Sequence, residues 1–264
     1  MSTNNILFSV KDKVALVTGG GLGGIGYSIS LALVKNGAKV YIASRDKKKL
    51  DESAKQLNSI GPGSCIAIAA DLSKQDECKK VAKEISLHDN HLDILVNNSG
   101  CNWGEEIETF PDHAWDKVMN LNVKAVFNTT VACLPLLRAN ATKESPSKVV
   151  TIGSIDGIRV PSLETYSYSA SKAAVHQLTR TLASRLAGDN ITVNAIACGP
   201  FYSKMTKATF DKFAEVITSG CPLGRFGNDR DLEGIILFLC SNACNYMTGA
   251  ILPLEGGILI SSNL

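Results

Sequence analysis

Seven short stretches of the chain are apolar over most of their length: VALVT (Val14–Thr18), KVYIAS (Lys39–Ser44), SCIAIAA (Ser64–Ala70), DILVNNS (Asp93–Ser99), KVVTIGS (Lys148–Ser154), ITVNAIA (Ile191–Ala197) and AILPLEG (Ala250–Gly256). Six of the seven are nearly continuous apolar runs, the pattern of parallel strands buried on both faces. Longer amphipathic stretches separate them and predict helices over Ile25–Asn36, Lys47–Asn58, Lys74–Leu87, Asp112–Arg138, Ser167–Leu186 and Asp229–Cys240. Regular alternation of strand and helix predicts an α/β protein: a doubly wound, seven-stranded parallel sheet with helices on both faces and right-handed crossovers. No shift in composition marks a second domain, so 1–264 is read as one unit. The polar run Arg138–Ser147 reads as a surface loop. Residues 201–228 hold one short amphipathic piece, KATFDKFAEVI, between two loops and no strand. They follow a strand at the sheet edge where open α/β sheets bind ligands, and are expected to form a substrate lid.

Composition narrows the function by exclusion. At 264 residues and 45% apolar content the chain can bury a full core without disulfides or metals. Its net charge of +2 makes no electrostatic case for nucleic acid or an anionic membrane surface. No apolar run reaches membrane-spanning length, and MSTNNILFSVKDK lacks the basic start and apolar stretch of a secretory signal. The eight cysteines contain no CxxC pair and the four histidines no HExxH, so free thiols and no metal site are expected. The terminal SSNL is not a peroxisomal SKL, and a cytoplasmic location is expected.

Candidate chemistry begins after the first strand. TGGGLGGIGYSIS runs from strand to helix through six clustered glycines. Glycines allow a tight turn and close approach to a pyrophosphate, which the helix N-terminus would meet with free N–H groups. Two registers fit: Gly21, Gly23 and Gly26 as GxGxxG, or Thr18-Gly19 opening the turn and Gly24-Ile25-Gly26 closing it. The second strand ends Ser44-Arg45-Asp46, with the arginine ahead of the carboxylate. That order favours a ribose 2′-phosphate, hence NADP(H) over NAD.

YSYSASKAAV places Tyr166 and Tyr168 before Lys172. Only Tyr168, four residues from Lys172, shares its helical face. A phenol titrates near ~10 and is a weak acid or base at neutral pH. A neighbouring ammonium is expected to lower that value, making Tyr168 a general acid for a carbonyl substrate. Ser154, closing the fifth strand, is placed to donate to the same oxygen. Trp103, Phe201, Tyr202 and Phe213 are candidates for an apolar substrate wall.

In order along the chain, the Thr18–Gly26 turn, AADLS with Asp71, NNSG (Asn97–Gly100), Asn122 in NLNVKAVF, Ser154 in IGSIDG and YSASK (Tyr168–Lys172) resemble the short-chain dehydrogenase/reductase family over Lys11–Ile258. LPLLRAN, VVTIGSIDGI, SKAAVHQLTRTLA and FYSKMT are similar to the branch that reduces 3-oxoacyl and related ketones, including members associated with rhamnolipid biosynthesis. The resemblance implies a Rossmann fold, NADP(H), and Asn122, Ser154, Tyr168 and Lys172 as the catalytic set. In it Lys172 also holds the nicotinamide ribose, and Asn122 (rather than Asn120) holds a water in a proton relay. It further implies cofactor contacts from Gly19, Gly21, Gly24, Ile25, Gly26, Ser44, Arg45, Asp71, Leu72, Asn98, Ser99, Gly100, Gly199 and Ser203, and a homodimer or homotetramer built on the two long helices. Departures are an extra residue in the glycine turn, which favours the Thr18-Gly19/Gly24-Ile25-Gly26 register, Ser99 for the usual alanine, Cys198 for a proline, and Glu255 for an aspartate. The expected activity is reduction of a small-molecule ketone or oxidation of its alcohol, the alternative being a non-catalytic NADP(H) sensor or scaffold. A serine hydrolase is excluded because Ser154 sits in IGSID, not GxSxG.

Overall fold

The computed structural model describes residues 7–202, 214–215 and 217–261. Strands β1 (Val14–Thr18), β2 (Lys39–Ser44), β3 (Ser64–Ala69), β4 (Ile94–Asn97), β5 (Ser147–Ile152), β6 (Ile191–Cys198) and β7 (Ile251–Leu254) form one sheet in the order β3-β2-β1-β4-β5-β6-β7. Every pairing is parallel. Helices α1 (Ile25–Lys35), α2 (Lys47–Asn58), α3 (Gln75–Ser86), α4 (Asp112–Met119), α5 (Ala125–Ala139), α6 (Tyr166–Leu186) and α7 (Asp229–Cys240) fill the crossovers.

The near-continuous apolar runs have a direct cause. Ala15, Val17, Val40, Ile42, Val96 and Ile196 point to one face and pack on α1, α2 and α7 through Ile29, Leu33, Leu50, Leu57 and Ile236. Their neighbours Leu16, Tyr41, Leu95, Val149 and Val193 point to the other and pack on α3, α5 and α6 through Val81, Ile85, Leu137 and Leu186. Because both faces are covered, neither parity of a strand can be polar.

Helix starts follow local chemistry. The Asp46 side chain caps α2 by accepting from the Lys49 N–H at 3.1 Å, and Asn228 with Asp231 forms a capping box on α7. The single helix expected over Asp112–Arg138 is instead two, α4 and α5, joined by a π turn at Asn120–Lys124. Such turns insert one residue into a helix without breaking its run, so the apolar periodicity hides them.

Strand order reverses between β1 and β4, and the crevice outside their carboxyl ends is the switch point of the sheet. The β1–α1 turn, the Asn98–Gly100 loop, Ser154 and Gly199 all lie on that edge. Of the expected lid, residues 203–213 and 216 lie outside the described residues. Phe201 pairs with Gly227 in an isolated bridge that brings the two ends of 201–228 together.

Candidate active site

The glycine turn is braced by β4. The Thr18 hydroxyl accepts from the Asn98 and Ser99 backbone N–H groups at 2.9 and 3.0 Å, and Asn98 Nδ2 returns a bond to the Thr18 carbonyl at 2.8 Å. Gly19 has φ +69°, and a Cβ there would lie 2.7 Å from Asn98 Nδ2. A Cβ on Gly26 would collide with both Asn98 Nδ2 and the Gly19 carbonyl. Gly19 and Gly26 therefore close the turn, in the Thr18-Gly19/Gly24-Ile25-Gly26 register. A Cβ on Gly21 would meet nothing within 4 Å. Gly24 is the N-cap of α1 and no side chain caps that helix, so its first N–H groups face the crevice. The N–H of Leu22 is held by Ser53 Oγ at 3.0 Å, a support that no motif signalled.

A cleft of about 270 Å³ runs from this turn to α6. Gly19, Gly21, Gly24, Ile25, Gly26, Asn98, Ser99 and Gly100 line one end, and Ser154, Tyr168, Lys172 and Gly199 the other. Leu22, Gly23, Ile152, Gly153, Cys198 and Phe201 complete the wall. Gly199 is required by close approach, since a Cβ would lie 2.7 Å from Glu255 Cα.

Tyr168 and Lys172 lie one turn apart on α6, the lysine Nζ 5.5 Å from the centre of the phenol ring. Lys172 is buried, donates to the Ile152 carbonyl at 2.8 Å, and is pushed down to about 8 by burial. Burial, not the ammonium, dominates at Tyr168 and pushes its phenol above the ordinary value, while a hydrogen bond with Ser154 pulls it down. Where the sequence leads to the expectation of a net lowering, burial instead leaves the phenol raised overall, with the Ser154 bond offsetting part of it. Ser154 Oγ also accepts from the Asp156 N–H at 3.1 Å. Tyr166 turns away, bonded to Glu164 at 3.0 Å and edge-on to Phe110.

Asn122 lies in the π turn and is 1% exposed, outside the cleft wall. Its Oδ1 accepts from the Cys101 N–H at 2.8 Å, and its Nδ2 donates to the Cys101 carbonyl and to Ser171 Oγ, both at 2.9 Å. Ser171 in turn donates to the Tyr168 carbonyl at 2.7 Å. Asn122 thus ties the loop after β4 to the turn of α6 that carries Tyr168.

Ser44 and Arg45 lie at the end of β2, apart from this cleft, with Arg45 exposed. Asp46 is taken by Lys49, with Nζ 2.8 Å from Oδ2. Asp71 accepts from Ser73 Oγ at 2.8 Å, and Leu72 is buried in the core. Ser203 and Phe213 lie outside the described residues. Trp103 is stacked edge-on by His113 and covered by Lys117, while Phe201 is buried and Tyr202 half-exposed. Among the described residues no side-chain group is arranged to hold a metal, and every cysteine is free.

Comparison with known proteins agrees with this geometry. Residues 13–213 match the family described as short chain dehydrogenase. The chain is 41% identical over 252 residues to the rhamnolipids biosynthesis 3-oxoacyl-[acyl-carrier-protein] reductase of Pseudomonas aeruginosa, covering 95% of this chain and 97% of that protein. It is 34% identical to a 3-oxoacyl-[acyl-carrier-protein] reductase of Thermotoga maritima, covering 95% and 99%. The Pseudomonas aeruginosa RhlG/NADP active-site complex superposes with a TM-score of 0.91 at 41% identity, covering 96% of this chain and 98% of that one.

Proposed function

The chain belongs to the short-chain dehydrogenase family, and on that premise we propose that it is an NADPH-dependent reductase converting a ketone, a 3-oxoacyl thioester foremost, to a secondary alcohol. What carries the reading is the Ser154–Tyr168–Lys172 group at one end of a cleft whose other end is an uncapped, glycine-built helix N-terminus. The residues fit a dinucleotide. The α1 N-terminus suits a pyrophosphate, Gly21 leaves room for close approach, and Arg45 supplies a cation where a 2′-phosphate would lie. NADPH, when bound, supplies the hydride to the carbonyl carbon.

The chain's own groups do the rest. Ser154 donates a hydrogen bond to the carbonyl oxygen, polarising it and fixing it beside Tyr168. Tyr168 transfers its proton to that oxygen as negative charge grows there, and the phenolate left behind is stabilised by Ser154 and the Lys172 cation. Asn122 keeps the Tyr168 turn of α6 in place through Ser171. Phe201, at the start of the segment expected to form a lid, supplies an apolar wall of the cleft. The 3-oxoacyl preference rests on the two reductases named above. Assembly as a homodimer or homotetramer is supported by Trp115, Phe127 and Val131, large apolar side chains exposed on α4 and α5. Among the described residues no helix is long and apolar enough to cross a membrane.

Tyr168→Phe tests the reading. It is expected to bind NADPH as the parent does and to lose about 10²–10⁴-fold in kcat, followed as NADPH oxidation with a 3-oxoacyl thioester. Undiminished turnover would overturn it.

A further inference from the structure

We propose that Ser53 is a positioning residue for the cofactor: from α2 its hydroxyl pins the tip of the glycine turn and holds that turn ready for the pyrophosphate. The proposal rests on the dinucleotide reading given above and extends it to a residue that does not line the cleft.

The buried stripe of α2 is Leu50, Ser53, Ala54 and Leu57, one face of a helix at i, i+3, i+4 and i+7. The other three join the apolar core, whereas Ser53 is polar and fully buried. A hydroxyl in such a place is costly unless it is hydrogen-bonded. Ser53 makes two bonds. Its O–H donates to the Lys49 carbonyl one turn back at 2.6 Å, and its oxygen accepts from the Leu22 N–H at 3.0 Å. Lys49 is itself held, its N–H donating to the Asp46 cap at 3.1 Å. The hydroxyl is thus aimed at the turn by its own helix.

The turn has need of such a post. Gly20–Gly24 consists of four glycines and Leu22, and glycine has the most backbone freedom to lose on ordering. Asn98 holds the start of the turn at the Gly19 carbonyl, and α1 begins at its end. Between the two, among the described residues, the N–H of Leu22 is the one bonded within the protein. Gly21, Gly23 and Gly24 line the cleft, and their N–H groups are left for an anion. Ser53 therefore fixes the middle of the loop without using any group that faces the cleft. A loop fixed beforehand is one that the ligand does not have to order.

The test is fluorescence titration of the parent, Ser53→Ala and Tyr27→Phe with NADPH and with NADH, alongside steady-state kinetics and amide hydrogen exchange of the cofactor-free proteins. Tyr27→Phe is the control. It breaks a bond between α1 and α2, from the Tyr27 hydroxyl to Gln56 at 3.2 Å, without touching the turn. In Ser53→Ala the Leu22 amide should exchange about fivefold faster, and both dinucleotides should bind about fivefold more weakly, the weight of one neutral hydrogen bond. The losses are equal because both cofactors carry the pyrophosphate, whereas Arg45 tells them apart. The loss should fall on KM for the cofactor, with kcat at saturation within about twofold of the parent. Adenosine 2′-monophosphate, which has no pyrophosphate, should compete with NADPH as well as it does in the parent. Tyr27→Phe should bind both cofactors as the parent does. Unchanged exchange at Leu22, parental affinity in Ser53→Ala, a loss confined to NADPH, or an equal loss in Tyr27→Phe would each overturn the proposal. Failure of the parent itself to bind either dinucleotide would instead overturn the reading beneath it.

Discussion

Arg45 and Asp46 are adjacent and oppositely charged, and the proposed preference for NADPH turns on which of them is available. Asp46 is spent on its own helix: its carboxylate caps α2 and pairs with Lys49, which together hold it below the usual carboxylate range. Arg45 is the exposed cation left at the end of β2. Arg45→Ala should therefore weaken NADPH by about tenfold, as loss of one charge-assisted contact does, and leave NADH nearly unchanged. Parallel titrations of the two cofactors check this, and equal losses would contradict it. The order Ser44-Arg45-Asp46 is plain in the sequence, but that Asp46 is engaged by its own helix is seen only in the fold. The titration of Tyr168 was not legible in the same way. YxxxK spacing puts Lys172 on the right face, but the burial that raises the phenol is a property of the assembled site.

Single elements show where pattern reading stops. The β1–α1 turn could be located from its glycines, yet its register could not be read from them alone, because glycines occupy both candidate frames. The choice is made by the loop after β4: Asn98 reaches across and fills the space beside Gly19 and Gly26 but not beside Gly21. Opposite outcomes follow for two similar substitutions. Gly26→Ala must push Asn98 or the Gly19 peptide aside and should cost about 1–3 kcal/mol in urea unfolding, as other overpacked sites do. Gly21→Ala has open space and should unfold like the parent while binding NADPH more weakly. Equal stability of the two variants would refute the assignment. The π turn at Asn120–Lys124 escaped the sequence for a related reason. What marks it is the reach of Asn122 to Cys101 and Ser171, two partners remote in sequence.

At the scale of the whole molecule the two edges of the sheet divide the work. Six of the seven strands were legible as nearly continuous apolar runs, as burial on both faces requires, but their order is set by crossovers that the sequence does not spell out. The carboxyl edge carries the cleft. The opposite edge carries a charge network: Lys39 pairs with Asp89 at 2.7 Å, Tyr41 donates to Asp89, and Lys13 pairs with Asp93 at 3.1 Å. Burial alone would raise Asp89, but the hydrogen bonds from Lys39 and Tyr41, helped by the Lys39 and His91 charges, leave its carboxyl lowered overall. A carboxyl lowered by folding binds its proton less readily in the folded state than in the unfolded one. It thus stabilises the fold above the unfolded value of about 4, and the gain is lost as pH falls through the lower folded value. Asp89→Asn should accordingly be less stable than the parent by about 1–3 kcal/mol at pH 7, the scale of a lost charged hydrogen bond. The difference should shrink steadily below about pH 4, when the parental carboxylate takes up its proton and Asp89 resembles its amide. Urea unfolding of both proteins at pH 7 and pH 3 measures the two gaps. A gap that stayed constant would mean that Asp89 contributes through packing, and that its ion pair with Lys39 adds nothing to the fold.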